Sequence, residues 1–213
     1  ATASAMQAYS IIVLRDRERM KAVCGYAGSR VLVFCADQNR NDDLARSLGL
    51  EIGRTPGIHA LLTASVDAIL AAQNACLAGQ SLGINSFFTN GTFRKSHAEV
   101  AALLELPETG CLPLICLVMG YAKDKDEAAV EKGRWVGEGL IHEERYRRLT
   151  PEAIERQLEQ YDDPSMHLGL GFDWRAMGFS HYHEWLYKKW LGALGASGPS
   201  PLLETLRQAG YLC

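Results

Sequence analysis

The stretch Ala64 to Gly91, ASVDAILAAQNACLAGQSLGINSFFTNG, constrains the chain most, because it reads as a long helix running straight into a short strand and a glycine. Ser65 offers a hydroxyl cap, and Asp67 follows in the expected first turn, where the helix dipole favours a carboxylate. Val66, Ile69, Leu70, Gln73 and Leu77 recur at helical spacing and give one largely apolar face. Ala68, Ala71, Ala72, Ala75, Ala78 and Gly79 keep much of the remaining surface small, so another backbone can approach closely. The helix is therefore expected at the centre of the fold. Gly83 suits the left-handed residue that ends a helix, Ile84 to Thr89 are strand formers, and Asn90-Gly91 marks a tight turn. Such a turn can present bare backbone amides to a flat ligand.

The chain has 213 residues, enough for one domain of ordinary size, and 47% of them are hydrophobic. No uninterrupted apolar run approaches the roughly 18 residues that span a bilayer, so a soluble globular protein without a membrane partner is expected. A net charge of -3 with scattered basic residues gives no electrostatic case for nucleic acid. The opening lacks the charged segment and apolar core of a signal peptide. Six cysteines, Cys24, Cys35, Cys76, Cys111, Cys116 and Cys213, contain no CxxC pair and read as reduced thiols of a cytoplasmic protein.

Along the chain, Ser10 to Leu14 and Val31 to Ala36 have strand length, and Arg15 to Cys24 reads as a short charged helix. Asn39 to Ala60 is polar and broken by Gly49, Gly53, Pro56 and Gly57, and reads as a surface excursion. Ser96-His97-Ala98-Glu99 is a capping box opening a helix that Pro107 ends, and the nearly all-apolar Leu112 to Gly120 reads as a central strand. Lys123 to Arg134 reads as a charged loop. Thr150-Pro151 starts a helix, Trp174 to Trp190 is rich in aromatics, and Ser200-Pro201 opens a last helix closed by Gly210. His181 and His183 have no clustered carboxylate or cysteine partners in sequence, so no metal site is expected. GxGxxG after a strand, a P-loop, GxSxG and HExxH are all absent.

Asp67-Ala68-Ile69-Leu70-Ala71-Ala72-Gln73-Asn74 followed by Ser81-Leu82-Gly83-Ile84 resembles the central helix of the FMN-dependent nitroreductase family. Further stretches resemble that family in the same order. They are Gln7 with Ser10 to Val13, Val33 to Asp37 with Asn39-Arg40, Leu106-Pro107-Glu108, Leu112 to Tyr121, and Lys132-Gly133-Arg134 with His142-Glu143. The later ones resemble the NADPH-preferring, oxygen-insensitive nitroreductase and flavin reductase branch.

The resemblance implies an α+β fold, a nitroreductase-like three-layer α/β/α sandwich with a mixed, mainly antiparallel sheet, in an intertwined homodimer. Residues 1–150 would form the FMN-binding core, and residues 151–213 a helical extension packing on the core or the partner subunit. In the family an N-terminal helix precedes this core and its arginines hold the flavin phosphate; Ala1 to Gln7 carry no such helix, so a longer natural chain is expected, the alternative being FMN binding without those contacts.

The resemblance also implies FMN as cofactor and NAD(P)H as co-substrate, with hydride passing through flavin N5 to a nitroaromatic, a quinone or a related small-molecule acceptor. Thr2, Ser4 and Gln7 match the flavin-contacting stretch, Phe88, Thr89, Asn90 and Gly91 the turn at the ring edge, and Lys132 and Arg134 the phosphate side. No side chain is expected to act as acid or base, since the cofactor carries the chemistry. The alternatives are a flavoenzyme of other chemistry on the same fold, such as a dehalogenase or a flavin-fragmenting enzyme, and a dimeric binding protein that has lost the cofactor.

Overall fold

The computed structural model describes residues 2–3, 5–52, 57–121, 133–135, 137–168, 172–191 and 201–212. They fall into two compact units, Ala1–Asp124 with Pro199–Cys213, and Lys125–Gly198. This division lies earlier than residue 150, and it returns the last helix to the first unit.

The first unit is built on a four-stranded sheet. β1 (Tyr9–Leu14), β2 (Arg30–Asp37), β3 (Asn85–Thr89) and β4 (Cys111–Gly120) lie in the order β1-β2-β4-β3. Every ladder among them is antiparallel. β4 is an interior strand, as its apolar run requires. Its register against β2 shifts between Phe34 and Cys35, where the partners step from Ile115 to Pro113. Proline has no N–H to give a ladder, and a bulge is where a strand tolerates it.

Side chains of β2 alternate between two cores. Val31, Val33 and Cys35 pack with Met20, Val23 and Cys24 of α1 (Arg17–Cys24) and with Val100 and Leu104 of α4 (His97–Leu104). Phe34 packs on the other face with Ala68 and Ala72 of α3 (Ile58–Ser81) and with Leu117. The result is three layers, α3, the sheet, and α1 with α4. The caps of α1 and α4 follow from sequence. Asp16 accepts from the Arg19 N–H at 2.7 Å, Gly25 ends α1 at φ 83°, and Ser96 with Glu99 forms the reciprocal capping box.

Two sequence expectations are corrected. Asn39 to Ala60 is no plain loop, because α2 (Asn39–Ser47) forms within it and α3 begins at Ile58. Ser65 is therefore inside α3, whose N-cap is Gly57 with no side-chain cap. Tertiary burial explains the early start, since Leu61 and Ala64 join a core with Ala8, Ala36, Leu112, Ala209 and Tyr211. The second correction concerns the faces of α3. The sheet side carries Ala64, Asp67, Ala68, Ala72 and Gly79, while Leu62, Val66, Ile69 and Leu77 are exposed. Small residues let the helix lie close against all four strands. By length and apolarity alone α3 could cross a bilayer, with a mean hydropathy of 1.4 over an 18-residue window, although no such run stood out in the sequence. Its buried face is nonetheless committed to the sheet.

The last helix, α7 (Pro201–Gln208), is followed by Ala209 and Tyr211, both buried. The Tyr211 hydroxyl donates to the Ala36 carbonyl at 3.4 Å. In the second unit, α5 (Pro151–Asp162) starts on Thr150, whose hydroxyl accepts from the Ala153 N–H at 3.2 Å. Tyr161 stacks between Trp135 and Tyr182, with centroids at 6.0 and 5.9 Å. α6 (Tyr182–Trp185) runs into a π-helical turn, Leu186–Leu191, and Trp174 and Trp185 are buried. The aromatic stretch thus supplies a cluster within its own unit.

Phe34 is fully buried beneath α3. Phe34→Ala is expected to lower unfolding free energy by about 3–5 kcal/mol, read from urea denaturation.

Candidate functional site

Asp67 sits in the interior of α3, fully buried on its sheet-facing side. Its carboxylate accepts from the Thr2 hydroxyl at 2.8 Å, the Ala3 N–H at 2.6 Å and the Ala8 N–H at 3.2 Å. Burial alone would raise its pKa, but hydrogen bonds from Ala3, Thr2, Ala8 and Gln7 outweigh this and hold the carboxyl below its ordinary value. The expected dipole role is replaced by an anchoring one, because α3 starts two turns earlier. The anchored segment carries left-handed backbone at Ala5, φ 56°, and Gln7, φ 50°. From α2, the Arg40 guanidinium donates to the Gln7 carbonyl and the Asn41 amide to the Met6 carbonyl at 3.2 Å.

At the end of β3, Phe88 lies opposite Leu117 and Thr89 opposite Cys116. The Thr89 hydroxyl accepts from the Gly91 N–H at 3.1 Å, and the Asn90 carbonyl accepts from the Phe93 N–H at 3.0 Å. A short 3-10 turn, Gly91–Arg94, therefore replaces the expected simple tight turn. Gly91 is buried, and a Cβ there would run into the Cys24 carbonyl. Packing against the end of α1 explains this glycine, and its amide already has a partner.

Thr92, unremarked in the sequence, is 4% exposed and its hydroxyl has no partner among the described residues. It borders a shallow depression shared with Lys95, His97, Val100, Leu112 and Thr205. Burial pushes the His97 pKa below its ordinary value. Only the adjoining Gly91 turn could have pointed to Thr92. An orphaned hydroxyl following an exposed Phe88 fits a flat ring with polar edges, so this loop is compatible with a flavin.

Thr2 and Gln7 precede β1, while Phe88 to Gly91 close β3, and these are the two edge strands of the sheet. Three strand spacings, about 14 Å, separate the edges. A single chain does not bring the two groups together. In the second unit, exposed Arg134 donates to the Gly133 carbonyl at 3.1 Å. The Gly133 N–H donates to the Met166 carbonyl at 2.9 Å, a bond that a proline at this position would forfeit. Ser4 and Lys132 lie outside the described residues. His181 meets the Asp162 carboxylate at 2.6 Å, and no cluster of three or more metal-ligating side chains occurs among the described residues.

No family model matches the chain. An FMN reductase [NAD(P)H] of Bacillus subtilis is 31% identical over 166 residues, which cover 74% of this chain and 64% of that protein. An oxygen-insensitive NADPH nitroreductase of Salmonella typhimurium is 30% identical over 168 residues, covering 75% of this chain and 66% of that one. The NfrA1 nitroreductase of B. subtilis superposes with a TM-score of 0.79 at 23% identity, over 99% of this chain and 85% of that structure. NfrA1 of B. megaterium gives 0.74 at 26% identity, over 99% and 85%. Over 74–75% of its length the chain is thus similar to FMN reductases and nitroreductases. The expected α+β nitroreductase-like fold is met, and the ladders among the described strands are all antiparallel. The chain spans just under two thirds of these curated relatives' length, 64% and 66%.

Asp67 gives the site a pH signature. A carboxylate whose pKa is depressed by folding stabilises above its unfolded value, near 3.8, and that contribution is lost as pH falls through the folded value. Urea denaturation from pH 7 to pH 2.5 is expected to show this loss below about pH 4, with a shallower acid limb in Asp67→Asn.

Proposed function

We propose that this chain is an FMN-dependent NAD(P)H oxidoreductase that reduces nitroaromatics, quinones or related small acceptors. The observation that carries the reading is the 31% identity to an FMN reductase over 74% of the chain, on a nitroreductase fold. FMN, when bound, supplies the hydride chemistry, accepting from NAD(P)H and delivering to the acceptor.

The protein's own part is binding and orientation. Phe88 offers an exposed aromatic side chain at the ring side, and Thr92 a hydroxyl needing a partner. Asn90 is exposed at the same turn. Lys132 and Arg134 supply cations to offset a phosphate. Thr2, Ser4 and Gln7 complete the contacts from a segment whose backbone is held by α2 and α3. In this reading the protein works in the cytoplasm, where NAD(P)H is available to it.

The separation of the two edge groups supports a site assembled between two copies. The outer face of α3 supports the same assembly. Ile58, Leu62, Val66, Ile69 and Leu77 form an apolar stripe along a helix of 24 residues, about 36 Å long. A stripe of that length on a helix otherwise packed in the fold suits a second copy of the same helix.

Purified protein incubated with FMN is expected to retain flavin absorption bands after desalting and to lose them on anaerobic addition of NADPH. A protein that retains no flavin removes the reading. Ile69→Asp, placed on the exposed stripe, is expected to shift the species from dimer to monomer in light scattering; an unchanged mass would count against the α3 interface.

A further inference from the structure

We infer that Asp67 is a positioning residue for cofactor binding: its buried carboxylate sets the backbone at Thr2, Ala3 and residues 5–8 in the shape that meets FMN. The inference rests on the proposed flavin site and adds a residue to it that touches no ligand. It begins from an imbalance in the core. A fully buried carboxylate on a helix face made of Ala64, Ala68, Ala72 and Gly79 is costly unless its oxygens are satisfied.

The donors all come from one short segment, the Thr2 hydroxyl and the Ala3 N–H on one oxygen and the Ala8 N–H on the other. Among the described residues no lysine, arginine or histidine pairs with it, and amides and a hydroxyl hold the carboxylate. Such charge-assisted bonds are about twice as strong as neutral ones and fix direction as well as distance.

The segment they hold would not keep its shape unaided. Ala5 and Gln7 both take positive φ, which an L-residue adopts only when its surroundings impose it. Asp67 ties the segment at Thr2, Ala3 and Ala8, and α2 ties it at Met6 and Gln7 through Asn41 and Arg40. The backbone carbonyls of Met6 and Gln7 are used by α2, while the Gln7 side chain stays exposed. A neutral side chain at position 67 would keep the core filled but loosen the turn. An exposed Gln7 would then lose its preset direction, and binding would have to supply the ordering that Asp67 supplies beforehand.

The test compares FMN dissociation constants, by flavin fluorescence titration, for wild type, Asp67→Asn and Val31→Ala. Val31 is buried in the core on the opposite face of the sheet, so it reports the effect of lost stability alone. Asp67→Asn turns one of the two accepting oxygens into an amide group that faces a donor, and is expected to raise the constant about tenfold. Val31→Ala should bind as wild type does. Equal binding by wild type and Asp67→Asn, or equal weakening by Asp67→Asn and Val31→Ala, overturns the inference while leaving the flavin site standing.

A second measurement needs no flavin. Hydrogen exchange at the Ala3 and Ala8 amides is expected to be faster in Asp67→Asn than in the wild type, and equal exchange there overturns the positioning role. A wild type that takes up no FMN at all removes the proposed site and this inference together.

Discussion

The close approach of α3 to the sheet is the contact on which the rest depends. Ala64, Ala68, Ala72 and Gly79 put almost no side chain between helix and strands, so Phe34 and Leu117 can fill the space from below. That choice has a second effect. The larger apolar residues of the same helix, Leu62, Val66, Ile69 and Leu77, are turned outward and exposed. A single helix thus serves the interior of the fold with its small face and leaves its large face uncovered among the described residues.

Asp67 shows how a polar group is accommodated in that small face. Its carboxylate takes the amides of the segment entering β1, which otherwise would run over the core with unpaired donors. The entry to the sheet and the central helix are consequently held together by hydrogen bonds to one ion. The glycine at the candidate turn tells a similar story. Gly91 invites a ligand-access explanation, yet Cys24 occupies the space a Cβ would need. Its absence of side chain serves internal packing first.

Local chemistry in the sequence was enough for most elements. Ser96 with Glu99, Thr150 with Pro151, and Gly83 at φ 71° act where their side chains or backbone freedom place them. Strand alternation on β2 and the apolar run of β4 likewise survive folding, apart from the bulge at Pro113. What failed were α2 and the first two turns of α3. Asn39 to Ser47 has no buried residue, so no apolar periodicity announced it. The start of α3 is fixed by Leu61 and Ala64 entering a core built from Ala8, Ala36, Leu112, Ala209 and Tyr211, residues remote in sequence. For the site, the turn after Phe88 was legible as a loop, while Thr92 was not, because an unpartnered hydroxyl exists only once its surroundings are assembled.

By itself the sequence determined a central small-residue helix feeding a strand and a glycine turn, the strand set, and a resemblance that named the cofactor. These are properties of neighbours in the chain: spacing, capping and residue size act over a few residues. Only the tertiary structure decided which face of α3 is buried, what Asp67 holds, and that Thr2 and Gln7 lie at one edge of the sheet with Phe88 and Gly91 at the other. The reason is that a hydrophobic spacing fixes the existence of a face and not its partner. Which surface covers it depends on how closely two backbones can approach, and that is settled by contacts between residues far apart in sequence.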